Sequence, residues 1–200
     1  MNKTILYYEE NAAEFCKNTL DADMAFCRNK FLSYLKPGAH ILDAGCGSGR
    51  DSKAFMELGY QITAMDASQK ICEEAEKVLE GKVLCQAFEE IDMEKTFDGI
   101  WACASLLHVS KEKLPEVLHR MKRALKDGGI LYASFKYGEG ETFKNGRLFN
   151  NYDEDTLRSL MEGVGIEVRE VFVTEDVRED RKGEKWVNGV GVKRKEEDIS

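Results

Sequence analysis

Two hundred residues, 42% apolar and 33% charged, can bury one sizeable core and are too hydrophobic for a disordered chain. With 29 Lys plus Arg against 37 Asp plus Glu, the net charge of −8 argues against broad electrostatic gripping of a nucleic-acid backbone. No apolar run approaches the ~20 residues that cross a bilayer, and "MNKTILYYEENAAEF" lacks a signal peptide's apolar stretch, so a soluble cytoplasmic protein with no membrane partner is expected.

In chain order, residues 5–36 read as two helices without a strand partner. One carries Tyr7, Tyr8, Ala12 and Phe15, the other Met24, Phe26, Cys27, Phe31, Leu32 and Leu35, and "KPG" at 36–38 ends the second. Short β-like runs at 39–43, 60–65, 82–86, 97–103 and 129–135 then alternate with helical runs at 50–58, 68–79 and 111–126. Ser68 is placed to cap the second of these helices and Gly81 to stop it. Beyond the fifth run comes a polar, Gly-rich loop, "KYGEGETFKNGRLF", then a helix starting near Asp153. Two final β-like runs, "GIEVREVFVTEDV" and "EKWVNGVGVKR", have only a charged turn between them and must pair antiparallel. The expected fold is α/β: a Rossmann-like three-layer sandwich with a mostly parallel seven-stranded sheet and a C-terminal antiparallel hairpin. One domain over 1–200 is expected, with residues 1–36 as a helical lid, 37–136 as a ligand-binding core and 137–200 as the substrate side. Six cysteines at 16, 27, 46, 72, 85 and 103 form no C-x-x-C pair and no zinc spacing, so they read as small hydrophobes and no metal is expected.

The stretch "HILDAGCGSGRDSKAF" (40–55) carries the chemistry. A dinucleotide loop, G-x-G-x-x-G, would place its third glycine at position 50, which is Arg50; the glycines are Gly45, Gly47 and Gly49. A P-loop is excluded because no Gly-Lys-Ser/Thr follows. Even glycine spacing lets backbone approach a ligand closely. Asp43, at the carboxyl end of the first strand, would repel pyrophosphate and attract an ammonium. Asp66 ends "YQITAMD", placed to accept from ribose hydroxyls; the alternative is that it caps the next helix.

Four phrases, "ILDAGCGSGRDS", "ITAMDAS", "FDGIWACASLLHV" and "MKRALKDGGILYASF", cover about 39–136 in an order and spacing that resemble the class I S-adenosylmethionine-dependent methyltransferases. The flavour is similar to the small-molecule branch that includes tellurite-resistance and thiopurine methyltransferases. The resemblance implies S-adenosylmethionine as cofactor and S-adenosylhomocysteine as product. It implies that Asp43, Gly45, Cys46 and Gly47 wrap the methionine portion and that Gly49 permits the turn into the helix. Asp66 would take the ribose and Ala67 would pack near adenine. Where the family often has an acidic contact to adenine, this chain has Ala87 and Phe88, so backbone, the Phe88 ring or a displaced Glu89 would serve. The Ala102 and Cys103 carbonyls would receive the ammonium, and Arg28 or Arg50 the carboxylate.

His108, in "SLLHV", stands where such a fold opens its substrate face and has an ordinary pKa suited to a general base; otherwise it caps the next helix or packs beneath the cofactor. The loop 136–149 offers Tyr137, Glu139, Glu141 and Arg147 to the same cleft, with Trp186 and Asn188 as further candidates. Tyr8, with Tyr7 and Phe15, would close over the site as a lid; otherwise these rings pack the first helix. The leading expectation is a methyltransferase for a small-molecule acceptor. The alternatives are a tRNA or RNA methyltransferase using Arg28, Lys136, Lys144 and Arg147, and a non-catalytic cofactor-binding regulator. Monomer and homodimer both stay open.

Overall fold

The computed structural model describes residues 3–194. Helix α1 (Lys3–Thr19) loses helical geometry at Asn11, whose amide donates to the Tyr7 carbonyl at 2.8 Å. Helix α2 (Ala25–Leu32) precedes β1 (His40–Ala44), α3 (Arg50–Glu57), β2 (Gln61–Asp66), α4 (Gln69–Leu79), β3 (Leu84–Cys85), β4 (Phe97–Ala102), α5 (Leu114–Ala124) and β5 (Leu125–Tyr137). Then follow β6 (Glu141–Lys144), β7 (Arg147–Tyr152), α6 (Glu154–Gly163), β8 (Ile166–Glu175) and β9 (Lys185–Lys193).

Strands β3, β2, β1, β4 and β5 lie side by side in that order, all parallel, with β9 antiparallel to β5 and β8 antiparallel to β9. That path of seven is the expected sheet with its C-terminal hairpin. Along the strands, neighbours point to opposite faces. Ile41, Trp101 and Tyr132 join Phe31 of α2 and Phe55 of α3, while Leu42, Ile100 and Leu131 join the α5 and α6 side. Strands covered by helices on both faces need apolar residues at consecutive positions, which is why these runs are nearly unbroken hydrophobics. Leu114, Val117, Leu118 and Met121 of α5 are fully buried at helical spacing, each worth roughly 1.5–3 kcal/mol of burial. Chain order reverses between β1 and β4, and the crevice at the carboxyl ends of these strands is where open α/β sheets bind ligands.

Two local readings are corrected. The segment read as a polar loop holds a hairpin, β6–β7, turning on Asn145 and Gly146 at φ 50° and 75°. Two consecutive left-handed residues are the geometry that Asn-Gly favours in a tight hairpin. Strand β7 then pairs parallel with the end of β5, Lys136 opposite Asn151 and Tyr137 opposite Tyr152. Helix α4 ends at Leu79 as read, but the residue that takes the left-handed cap is Glu80, at φ 51°, and not Gly81. Ser68 caps its start as expected, accepting from Ile71 N at 3.2 Å. No helix among the described residues is long and apolar enough to cross a membrane.

Candidate active site

The glycine loop joins β1 to α3 at the crevice. Gly45, Gly47 and Gly49 all have left-handed backbone, at φ 80°, 54° and 77°. The N–H groups of Gly45 and Cys46 both donate to the Met65 carbonyl at 2.9 Å, tying the loop to β2. A Cβ on Gly45 would stand 2.5 Å from that of Ser105, one on Gly47 3.3 Å from the Phe15 ring, and one on Gly49 3.2 Å from Leu79 Cγ. Glycine is thus required at 45 by packing of the protein on itself as well as by the turn, and at 47 and 49 chiefly by the turn. Ser105 in turn donates to the Ala44 carbonyl at 2.7 Å, and Ala104 beside it is held left-handed at φ 51°. A non-glycine residue in that conformation is a strained position of the kind that clusters at binding sites.

Three carboxylates flank the loop. Asp43 is buried and accepts from Ser52 Oγ at 2.6 Å. Burial, then the neighbouring Asp51 charge, pushes its pKa up to about 7, so its negative charge is one that an approaching cation would draw out. Asp51 is also buried, but it receives Arg28 Nη1 at 2.7 Å, Arg50 Nη2 at 2.8 Å and Trp101 Nε1 at 3.0 Å. Burial alone would raise its pKa; the two guanidinium groups outweigh that and hold it below the ordinary carboxylate value. Asp66 accepts from Gly47 N at 3.2 Å and Ser68 N at 3.1 Å, so it both braces the glycine loop and orders the entry to α4. Burial raises its pKa against those two N–H groups.

Two cavities, of about 370 Å³ and 360 Å³, meet over the loop. Both are lined by Tyr8, Phe15, Gly45, Gly47, Ala104 and His108. The smaller continues past Asp66, Ala67, Ile71 and Phe88. The larger continues past Asp43, Arg50 and Cys103 to Arg147, Asp176 and Trp186. Tyr8 and His108 form the wall between them. The Tyr8 hydroxyl donates to His108 Nε2 at 2.9 Å, while Nδ1 donates to the Leu148 carbonyl at 2.7 Å. A carbonyl only accepts, so Nδ1 carries the proton and Nε2 offers its lone pair to Tyr8. Burial drags the His108 pKa down to about 4, and the nearby Arg147 charge acts in the same direction. The ring is therefore neutral near pH 7.

Residues 41–129 match the family described as methyltransferase domain. Over that stretch the chain is similar to methyltransferases. It is 29% identical over 121 residues to malonyl-[acyl-carrier protein] O-methyltransferase of Erwinia pyrifoliae, an alignment covering 56% of this chain and 44% of that protein. It is 31% identical over 105 residues to ubiquinone biosynthesis O-methyltransferase of Xanthomonas campestris pv. campestris, covering 49% and 43%. The chain thus matches less than half the length of these curated relatives. In fold it resembles 1,6-didemethyltoxoflavin-N1-methyltransferase of Burkholderia thailandensis, solved with 1,6-didemethyltoxoflavin and S-adenosylhomocysteine bound. The TM-score is 0.79 at 21% identity, over 96% of this chain and 88% of that one.

The crevice brings together Tyr8, Asp43, Gly45, Cys46, Gly47, Arg50, Asp66, Ala67, Ala87, Phe88, Cys103, His108 and Arg147. Gly49 and Ala102 lie just behind the lining, buried. Arg28 does not reach either cavity, because Asp51 holds it, and Arg50 lines the larger one while chelating the same carboxylate. Tyr137 and Glu139 are turned away from the cleft. Pairing of β5 with β7 leaves both exposed, with Tyr137 bonded to Glu154. Glu141 instead accepts from Lys111 N at 2.7 Å. Trp186 and Asn188 do line the larger cavity; Asn188 accepts from the buried Tyr132 hydroxyl at 2.7 Å, and Trp186 donates to Asp176 at 3.0 Å. Asp51, Ser105 and Asp176 escaped the sequence reading. Only the Arg-Asp pair directly after the glycines hinted at the first; nothing marked the others. All six thiols are free, and among the described residues no group of three His, Cys, Asp or Glu is placed to hold a metal ion.

Proposed function

We propose that the chain transfers a methyl group from S-adenosylmethionine to a small-molecule acceptor, which enters through the larger cavity. The observation that carries this reading is the junction of two cavities of nearly equal size across one glycine loop. A ligand with an adenosyl end and an amino-acid end must bridge such a junction, leaving room beyond the sulfur for an acceptor.

The residues fit that cofactor. Asp66 offers a carboxylate where ribose hydroxyls would lie, and Ala67, Ile71 and Phe88 give a purine apolar walls. The methionine portion would follow the Gly45–Gly47 backbone, with Asp43 and the Cys103 backbone facing its ammonium and Arg50 the cation nearest its carboxylate. Bound there, the cofactor supplies an electrophilic methyl on a sulfonium, so the protein's share is alignment and exclusion of water. Phe15 and Tyr8 of α1 cover the loop and close the junction from above. His108 acts by holding the Tyr8 phenol. Its lone pair is already engaged and its basicity is low, which suits a nucleophile that arrives ionised.

Calorimetric titration tests the reading. S-adenosylhomocysteine is expected to bind and NAD not to, and Asp66→Ala is expected to weaken the former by about tenfold or more. Binding of NAD alone would overturn it. Turnover with a panel of small hydroxyl, thiol, amine and carboxylate acceptors separates an enzyme from a non-catalytic cofactor binder. The nucleic-acid alternative needs a basic stripe along the cleft, and two of its four cations are already paired, Arg28 with Asp51 and Lys136 with Glu184. Strongly salt-dependent RNA retention on filters would revive it.

A further inference from the structure

Among the described residues, five cations line the larger cavity: Arg50, Lys136, Arg147, Arg178 and Arg181. Four face carboxylates. Arg50 meets Asp51 at 2.8 Å, Lys136 meets Glu184, Arg178 meets Asp176 at 2.7 Å, and Arg181 lies 3.7 Å from Glu184 and 3.8 Å from Asp180. Arg147 differs: among the described residues it forms no ion pair. Its guanidinium instead lies in an aromatic cage, with Cζ 4.2 Å from the Tyr7 ring centroid, 5.1 Å from Phe149 and 5.9 Å from Tyr8. Its Nε is closed off from solvent and has no acceptor in the protein. Ring faces attract the charge, but they provide no in-plane lone pair for that N–H, and a buried donor without an acceptor is costly.

The chain nonetheless fixes this residue at the junction. Arg147 opens β7, and the next residue, Leu148, is held on both sides: its carbonyl receives His108 and its N–H donates to Thr4 Oγ1 at 3.2 Å. The guanidinium is therefore set beside the Tyr8–His108 wall, the place where the proposed function brings acceptor and methyl together. Its two terminal nitrogens, unlike the enclosed Nε, form the planar fork that pairs with a carboxylate through two parallel hydrogen bonds. Flanking rings favour a flat body attached to that carboxylate.

We propose that Arg147 is the specificity residue of the acceptor site, and that the acceptor is a small aromatic acid whose carboxylate pairs with the guanidinium fork. This rests on the larger cavity being the acceptor side. It deepens that reading by naming the acceptor's chemical class.

Matched acid and amide probes test it: 4-hydroxybenzoate against 4-hydroxybenzamide, and salicylate against salicylamide, each titrated into the S-adenosylhomocysteine complex. Wild type is expected to bind the acids about tenfold more tightly than the amides. Arg147→Met is expected to erase that preference while keeping S-adenosylhomocysteine affinity within about twofold, which also reports that the variant is folded. Arg147→Lys, which keeps the charge without the fork, should restore part of it. Equal binding of acid and amide, or a preference that survives Arg147→Met, overturns the proposal. A fall of about tenfold in S-adenosylhomocysteine affinity in Arg147→Met also overturns it, because Arg147 would then serve the cofactor's carboxylate. If wild type itself fails to bind S-adenosylhomocysteine, the methyltransferase reading falls as well, a signature distinct from the others.

Discussion

The glycine loop and the β6–β7 hairpin both turn on left-handed glycines, yet they are built to different tolerances. A Cβ on Gly45 would stand 2.5 Å from Ser105 Cβ, whereas one on Gly146 would meet nothing within 4 Å. At position 45 of the loop, glycine is demanded by backbone angle and by contact together; in the hairpin, by angle alone. The loop also exits into a buried carboxylate with three donors, while the four residues of β6 are all exposed. One side of the crevice is a closely packed floor and the other a wall backed by an exposed hairpin. That division suits a site with a fixed cofactor and a particular acceptor.

The sharpest way to break this contrast is Asp51→Asn. It would leave Arg28 and Arg50 around a neutral amide, and removal of one partner from a buried pair costs about 3–5 kcal/mol. Denaturant unfolding that shows less than about 1 kcal/mol would mean the loop is braced no better than a surface pair. Next comes Gly45→Ala, where overpacking and left-handed strain together predict a loss of roughly 2–4 kcal/mol. The same change at Gly146 carries the strain alone, about 1 kcal/mol. Equal losses at the two glycines would dissolve the distinction.

Stability against pH probes the floor and the wall with opposite signs. Asp43 titrates near 7 when folded and near 3.8 in its ordinary state, so the folded chain holds that proton longer. Its contribution is full below about 3.8 and is lost as pH rises through about 7. His108, lowered from 6.5 to about 4, does the reverse: its contribution is full above 6.5 and is lost as pH falls through about 4. Asp43→Asn should therefore gain on wild type as pH climbs from about 4 to 7, and His108→Gln as it drops from about 6.5 to 4. Parallel profiles for wild type and both variants would refute these assignments. Tyr8→Phe leaves His108 Nε2 without its donor and costs about 1–2 kcal/mol in thermal unfolding, of the same order as the Gly146 change. No loss would mean α1 is not tied to the wall through that bond.

The floor was readable in the sequence and the wall was not, for physical reasons. Asp43, the three glycines and Asp66 lie at the ends of apolar runs whose period and length announce parallel strands, so chain position and spatial position coincide. The Asp51 cluster draws on α2, α3 and β4, and no local pattern encodes such a meeting. On the other side, "ETFK" and "RLFNNY" bury residues unevenly, so the hairpin lacked a two-residue alternation to betray it. Its one signal, Asn145-Gly146, lay inside a stretch read as a polar, Gly-rich loop. Missing that turn put Tyr137 and Glu139 in the cleft, when pairing with β7 directs them outward. Arg147 survived the error because β7 begins at it and points it inward.

The chain's two tryptophans divide between these regions. Trp101 is fully buried, stacked on Tyr132 with centroids 3.9 Å apart, and its indole N–H reaches the same Asp51 that grips Arg50. Trp186 sits at the rim of the larger cavity with its N–H on Asp176. One indole therefore lies in the apolar interior beneath the glycine loop, bonded to the carboxylate that braces it, and the other at the rim of the larger cavity. A buried and a rim indole are expected to emit at different colours, so a ligand entering the larger cavity should perturb the Trp186 emission selectively, without a label.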